Sequence, residues 1–171
     1  MPQVLFDSLP PNARVWVFGA SARLDENART KLLQAVDEHL AGWRAHGSPL
    51  VCARDWRNDR FLAIGVDEAA TGASGCSIDG MFRVLQSLQE KLGTQIVGGG
   101  TIYWRDTSGA IQSGGRMAFI DAVANGQIVG DTPVFDLTVA TVGNWRENFE
   151  RAASTSWHGR LLKSESVTRG E

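Results

Sequence analysis

The sequence predicts an α+β fold, a ferredoxin-like βαββαβ antiparallel sheet over residues 1–112, followed by a C-terminal α/β elaboration over 113–162 and a flexible tail over 163–171. Three observations carry this reading. Strand-like apolar runs lie at Arg14–Gly19, 50–56, 60–66 and 101–105. Two stripes of helical period separate the first run from the second and the third from the fourth. A polar turn joins the middle pair, which makes them a hairpin and gives the split βαβ order.

Taken in order, Val15, Trp16, Val17 and Phe18 are β-branched and aromatic residues in an unbroken apolar run, as a buried strand requires. Asp25 is placed to cap a helix whose apolar positions Ala28, Leu32, Val36, Leu40 and Trp43 recur at helical spacing until Gly47 and Pro49. Arg57-Asn58-Asp59 separates the next two runs with turn-forming residues. Ile78, Met81, Leu85, Leu88 and Leu92 form a second helical stripe that starts near Cys76 and ends at Gly93. Gly98-Gly99-Gly100 is a connection or bulge before 101–105, and Asp106-Thr107-Ser108-Gly109 is a turn into 110–112. Beyond it, the pattern predicts a helix over 117–124 ended by Asn125-Gly126, a strand over 132–137 and a helix through 145–153.

The runs at 50–56 and 60–66 are apolar on both alternations, so both faces of their sheet are expected to be covered. A lone ferredoxin-like unit leaves one face bare. Either the C-terminal third or a second copy of the chain fills it, which makes a homodimer one expectation.

Composition excludes several classes. The chain has 171 residues, 43% of them hydrophobic and 21% charged, with 17 basic against 19 acidic residues and a formal charge of −2. No run of like charge favours nucleic acid, although Arg54, Arg57 and Arg60 around Trp56 offer one local basic cluster. The opening residues to Pro11 lack the pattern of a secretory signal, and no window is apolar enough to span a bilayer, so a cytoplasmic address and no membrane are expected. Cys52 and Cys76 are then reduced thiols. With His39, His46 and His158 they form no metal-ligand spacing, and neither a metal nor a cofactor is expected.

The segment Gly72-Ala73-Ser74-Gly75-Cys76-Ser77-Ile78-Asp79 carries the most chemistry. It places a thiol where a strand passes into a helix, and backbone N–H groups with the helix dipole favour a thiolate there. The same N–H groups, with Ser74, Gly75, Cys76, Ser77 and Asp79, suit a small anionic ligand. A tight turn with a serine cap and a small buried thiol fits the segment equally. His46 is the candidate base for Cys76. However, the end of the first long helix and the start of the second are expected at opposite ends of the sheet, which separates the two. Asp67, Glu68 and Asp79 suit a hydroxyl substrate or a metal better than they suit a thiolate. No P-loop occurs, and the triple glycine precedes a strand, so neither ATP hydrolysis nor dinucleotide binding is supported.

Trp43 to His46-Gly47, Asp59-Arg60-Phe61, Val66-Asp67-Glu68 and the Gly72 to Asp79 segment resemble a small uncharacterised bacterial family over most of the chain. Its members often carry the label "ABC transporter ATPase", which the absent P-loop contradicts here. Ile102-Tyr103-Trp104, Phe119 to Gly126, Ile128, Asp131 to Phe135 and Trp145 are similar to bacterial GYF-like adaptor domains. Ser113-Gly114-Gly115 stands where those domains have Gly-Pro. That likeness implies a proline-rich peptide partner held by aromatics, here Tyr103 and Trp104. Trp145 is expected at a partner surface on a separate ground, because like Trp56 and Trp157 it is flanked by polar residues and suits a ligand groove or partner interface. Two functions follow as expectations. One is a binding or assembly module for a small anionic ligand or protein partner at the start of the second long helix. The other is a thiol-dependent transferase or hydrolase with Cys76 as nucleophile.

Overall fold

The computed structural model describes residues 4–45, 47–71 and 78–162. The chain runs through β1 (Arg14–Gly19), α1 (Glu26–Ala41), β2 (Arg44–Ala45), β3 (Ser48–Pro49), β4 (Cys52–Arg57), β5 (Phe61–Val66), α2 (Glu68–Thr71) and α3 (Asp79–Leu92). It continues through β6 (Ile102–Arg105), β7 (Ile111–Gly114), α4 (Arg116–Ala124), β8 (Pro133–Phe135), α5 (Val142–Asn148) and β9 (Glu150–Ala152). The fold is α+β with antiparallel sheets, in two compact units: Met1–Val97 with Thr138–Glu147, and Gly98–Leu137 with Asn148–Glu171. No described helix is long and apolar enough to cross a membrane.

In the first unit the strands pair in the order β1-β5-β4, all antiparallel. The sheet has three strands rather than the four of the expected βαββαβ arrangement. The fourth place is not taken by 101–105: that segment is β6, and it pairs with β7 and β8 in the second unit's sheet. Beside β1 the first unit instead sets residues 140–142, with Val15 N–H donating to Ala140 O at 2.9 Å and Val142 N–H to Ala13 O at 2.9 Å.

The helix signals are specific. The Asp25 carboxylate accepts the Ala28 N–H at 2.8 Å, capping α1. The helix stops at Ala41 rather than near Gly47, because Gly42 caps it and Trp43 already lies beyond. α3 ends in Gly93 at φ 67°, a left-handed C-cap that glycine adopts without steric cost. The β4–β5 turn is closed by Arg60 N–H donating to Arg57 O, with Asn58 and Asp59 at φ 58° and 53°. Asn and Asp are the non-glycine residues that best tolerate this region. Arg29 and then Arg23 hydrogen bond the Asp59 carboxyl and hold it below the ordinary carboxylate range.

Strand alternation divides the first core. Leu62, Ile64 and Val66 face α1 and α3, and join Leu32, Val36, Leu40, Met81 and Leu85 in one cluster. The opposite face is covered from within the same unit by the turn at Phe6–Ser8 and by α5. A Cβ on Gly65 would fall 2.6 Å from Leu9 Cδ1, 3.2 Å from Phe6 and 3.5 Å from Val142. Gly65→Ala is therefore expected to lower stability by about 1–3 kcal/mol, as overpacking does, measured by urea unfolding. Residues of the same unit thus cover this face around Gly65, with no second copy of the chain needed there.

The second unit has a four-stranded sheet in the order β7-β6-β8-β9. Ile102, Trp104, Phe119, Ala122, Ile128 and Val134 form its core. The expected final helix through 153 ends at Asn148, and Glu150–Ala152 instead pairs with β8. Arg105 clamps that strand through Glu150, with Nε 2.7 Å from Oε2 and Nη2 3.0 Å from Oε1. In the β6–β7 turn Ser108 and then Gln112 hydrogen bond Asp106 and hold its carboxyl down to about 2.

Candidate functional site

Ser74, Gly75, Cys76, Ser77 and His46 lie outside the described residues. The residues that precede and follow 72–77 in the chain are described. β5 ends at Val66, opposite Arg14 at the start of β1. The short α2 follows, and α3 begins at Asp79, three residues later than the start expected near Cys76.

One side of this edge is a row of side chains packed against one another. Arg14 lies over the Trp16 ring with Cζ 4.4 Å from its centroid, and its Nη1 is 3.5 Å from Glu68 Oε1. Trp16 and Trp43 are 6.2 Å apart between centroids, and Trp43 and His39 are 5.7 Å apart. His39 closes the row against α3. A Cβ on Gly80 would come 3.0 Å from His39 Cε1 and 3.5 Å from Nε2. The end of α1 and the start of α3 thus lie together, which corrects the expectation that they sit at opposite ends. The reason is antiparallel packing of the two helices on one sheet face.

His39 has the electrostatics of a site residue. Its Nε2 is buried with no hydrogen-bond partner among the described residues, and burial pushes its pKa down, so the ring is neutral near pH 7. A neutral imidazole offers one donor and one acceptor, and an enclosed nitrogen without a partner is costly. Beside it, the cap residue Ile78 supplies no side-chain hydrogen bond to α3. The first-turn N–H groups of a helix have no intrahelical partner and take one from elsewhere. Asp79, the exposed first residue of α3, is the described member of the predicted ligand set.

The sequence drew attention to His46 and not to His39, although a signal for His39 was present. It sits at i+7 from Leu32 and i+3 from Val36, on the inward stripe of α1, where an imidazole must meet whatever packs on that helix.

The aromatic residues expected to bind a partner are enclosed. Tyr103, Trp104 and Trp145 are 1%, 7% and 0% exposed. Tyr103 and Trp104 are successive residues of β6 and point to opposite faces. Trp145 belongs to the first unit, where its Nε1–H donates to Asp55 Oδ2 at 2.8 Å. These residues are core, not a peptide platform.

The cluster around Trp56 is also accounted for. Arg54 makes two hydrogen bonds to Asp37, at 2.8 and 3.0 Å, and Arg57 donates to Trp145 O at 2.9 Å. Arg60 donates to Ser21 O at 3.3 Å. Guanidinium groups so occupied are poor phosphate contacts. Among the described residues no group of three or more His, Cys, Asp or Glu side chains could hold a metal ion. No protein-family model, curated protein or solved structure matches this chain.

Proposed function

We propose that the chain is a cytosolic binding or assembly module that captures a small anionic ligand at the start of α3, with His39 as one of its hydrogen-bonding groups. The observation that carries this is the enclosed Nε2 of His39, which has no hydrogen-bond partner among the described residues and lies against Gly80 in the first turn of α3, where the cap residue Ile78 supplies no side-chain hydrogen bond. With Nε2 protonated, the ring donates to an anion alongside the first N–H groups of the helix, whose dipole favours negative charge. In fold terms, we take the first unit as a ferredoxin-like sheet lacking its fourth strand. The protein-partner form of the proposal is left without Tyr103, Trp104 and Trp145 as contacts, because all three are enclosed.

The test is calorimetric titration with inorganic phosphate, pyrophosphate and dicarboxylates. His39→Phe keeps the ring packing on Trp43 and removes the nitrogen. It is expected to weaken binding about 10- to 100-fold, as the loss of a hydrogen bond to a charged group does. Gly80→Ala, which crowds the imidazole, is expected to weaken it as well. Equal binding by wild type and His39→Phe, or no binding of any anion by wild type, would sink the proposal.

A second reading is favoured by the same imidazole. A histidine kept unprotonated near pH 7 at this edge can serve as the base for Cys76 in thiol-dependent transfer or hydrolysis. Alkylation of Cys76 by iodoacetamide separates the two readings. An enzyme of this kind should react with a pKa well below about 8.5 and lose that activation in His39→Phe. A folded-state thiol that does not react leaves the binding reading alone.

A further inference from the structure

The second unit encloses a histidine that the proposed site does not use. His158 is 0% exposed. Its ring stacks on Trp157 with centroids 4.0 Å apart and planes 26° apart, and Phe119 of α4 lies 5.7 Å away. Nδ1 is 2.5 Å from Ser156 Oγ, and that hydroxyl also accepts the His158 backbone N–H at 3.2 Å. Nε2 is buried with no hydrogen-bond partner among the described residues.

A neutral ring can leave Nε2 bare at modest cost. An imidazolium carries a proton on both nitrogens, so protonation would put a charged, unmet donor among apolar groups. Around the ring, α4 brings Phe119 and the 156–158 turn brings Ser156 and Trp157. Asp136, just after β8, is the ionisable group whose charge reaches it. Burial outweighs the support from that carboxylate and pushes His158 down to about 4.

We propose that the Trp157–His158 stack is an acid-release clasp that holds the 157–162 segment, a turn leading into helical residues 159–162, with Leu161, on the apolar core of the second unit. Leu161 is buried in the same cluster as Phe119, Ile102 and Trp104, so opening the clasp uncovers that cluster. The open turn binds a proton at the ordinary imidazole value of 6.5, the closed one only near 4. The clasp is therefore at full strength above pH 6.5 and weakens as pH falls towards 4. The closed-to-open ratio drops about tenfold per pH unit in that window.

Hydrogen exchange of the full chain by two-dimensional NMR, from pH 7.5 to 4.5 and corrected for intrinsic rates, tests this. Protection at 158–162 is expected to fall about tenfold per pH unit, with the Trp157 indole signal moving in step, while β6 and β8 keep their protection. His158→Phe, or His158→Gln where the first does not fold, should remove the pH dependence. Protection that does not change with pH, a parallel loss in β6 and β8, or the same profile in a replacement that folds overturns the proposal. The wild-type titration can overturn it alone.

Discussion

Trp145→Ala is expected to destabilise the first unit by about 3–5 kcal/mol, the range for removing a large aromatic from a core. Trp145 is fully buried and is held three ways. Its Nε1–H donates to Asp55 Oδ2 at 2.8 Å, its ring carries the Arg57 guanidinium 4.2 Å from the centroid, and its carbonyl accepts Arg57 Nη1 at 2.9 Å. Alanine empties the sheet face and leaves the Asp55 carboxylate without its indole donor. Trp145→Phe separates the two effects. It keeps most of the ring and the guanidinium contact but loses the N–H, and about 1–2 kcal/mol is expected. Urea unfolding gives the totals, and hydrogen exchange should show the loss in β4, whose Asp55 and Arg57 this side chain meets. A cost for alanine under about 1 kcal/mol, or equal costs for the two variants, would contradict this packing.

Trp145 also shows where the sequence stopped being informative. Its burial and the alternation of β4 are local properties. That Asp55 and Arg57, some 90 positions earlier, should close around it is a long-range fact that no periodicity encodes. The same limit explains the sheets. The run at 101–105 reads as a strand, and it is one, but a strand's pattern does not name its partner, and β6 pairs with β7 and β8 rather than with β1. Glu150, Arg151 and Ala152 have no strong strand preference and follow a helical stretch. They are extended because their backbones complete the ladder with Pro133, Val134 and Phe135, a tertiary override of local propensity.

Local chemistry was legible where one residue type does one job. Asp25 as a cap, Gly93 as a left-handed C-cap, Asn58-Asp59 at positive φ and Asn125 followed by Gly126 at the end of α4 all act over a few residues. The candidate site was legible in part. The glycine-rich stretch drew attention to the start of the second long helix, and the structure sets His39 there. His46 drew notice through its nearness to a helix end, and His39 was missed although it lies beside Val36 and Leu40 on the inward side of α1. Which imidazole meets α3 depends on the helices being antiparallel, and that follows from the strand order rather than from either helix alone.

Phe119→Ala should be the corresponding lesion in the second unit, at about 3–5 kcal/mol. Phe119 is fully buried and meets Trp104 edge to face, 5.5 Å between centroids at 86°, with His158 on another side at 5.7 Å. Leucine in its place should cost less, because it restores much of the volume but not the ring geometry. The aromatic contact can be isolated by a double-mutant cycle with Trp104→Leu, and a coupling of about 0.5–1.5 kcal/mol is expected beyond area burial. Hydrogen exchange should locate the loss in β6 and β8. Because Phe119 also bears on the His158 ring, the Phe119→Leu variant should loosen the 157–162 turn at pH 7.5, where His158 is neutral. If Phe119→Leu leaves that turn fully protected, Phe119 does not support it, and its role is confined to the contact with Trp104.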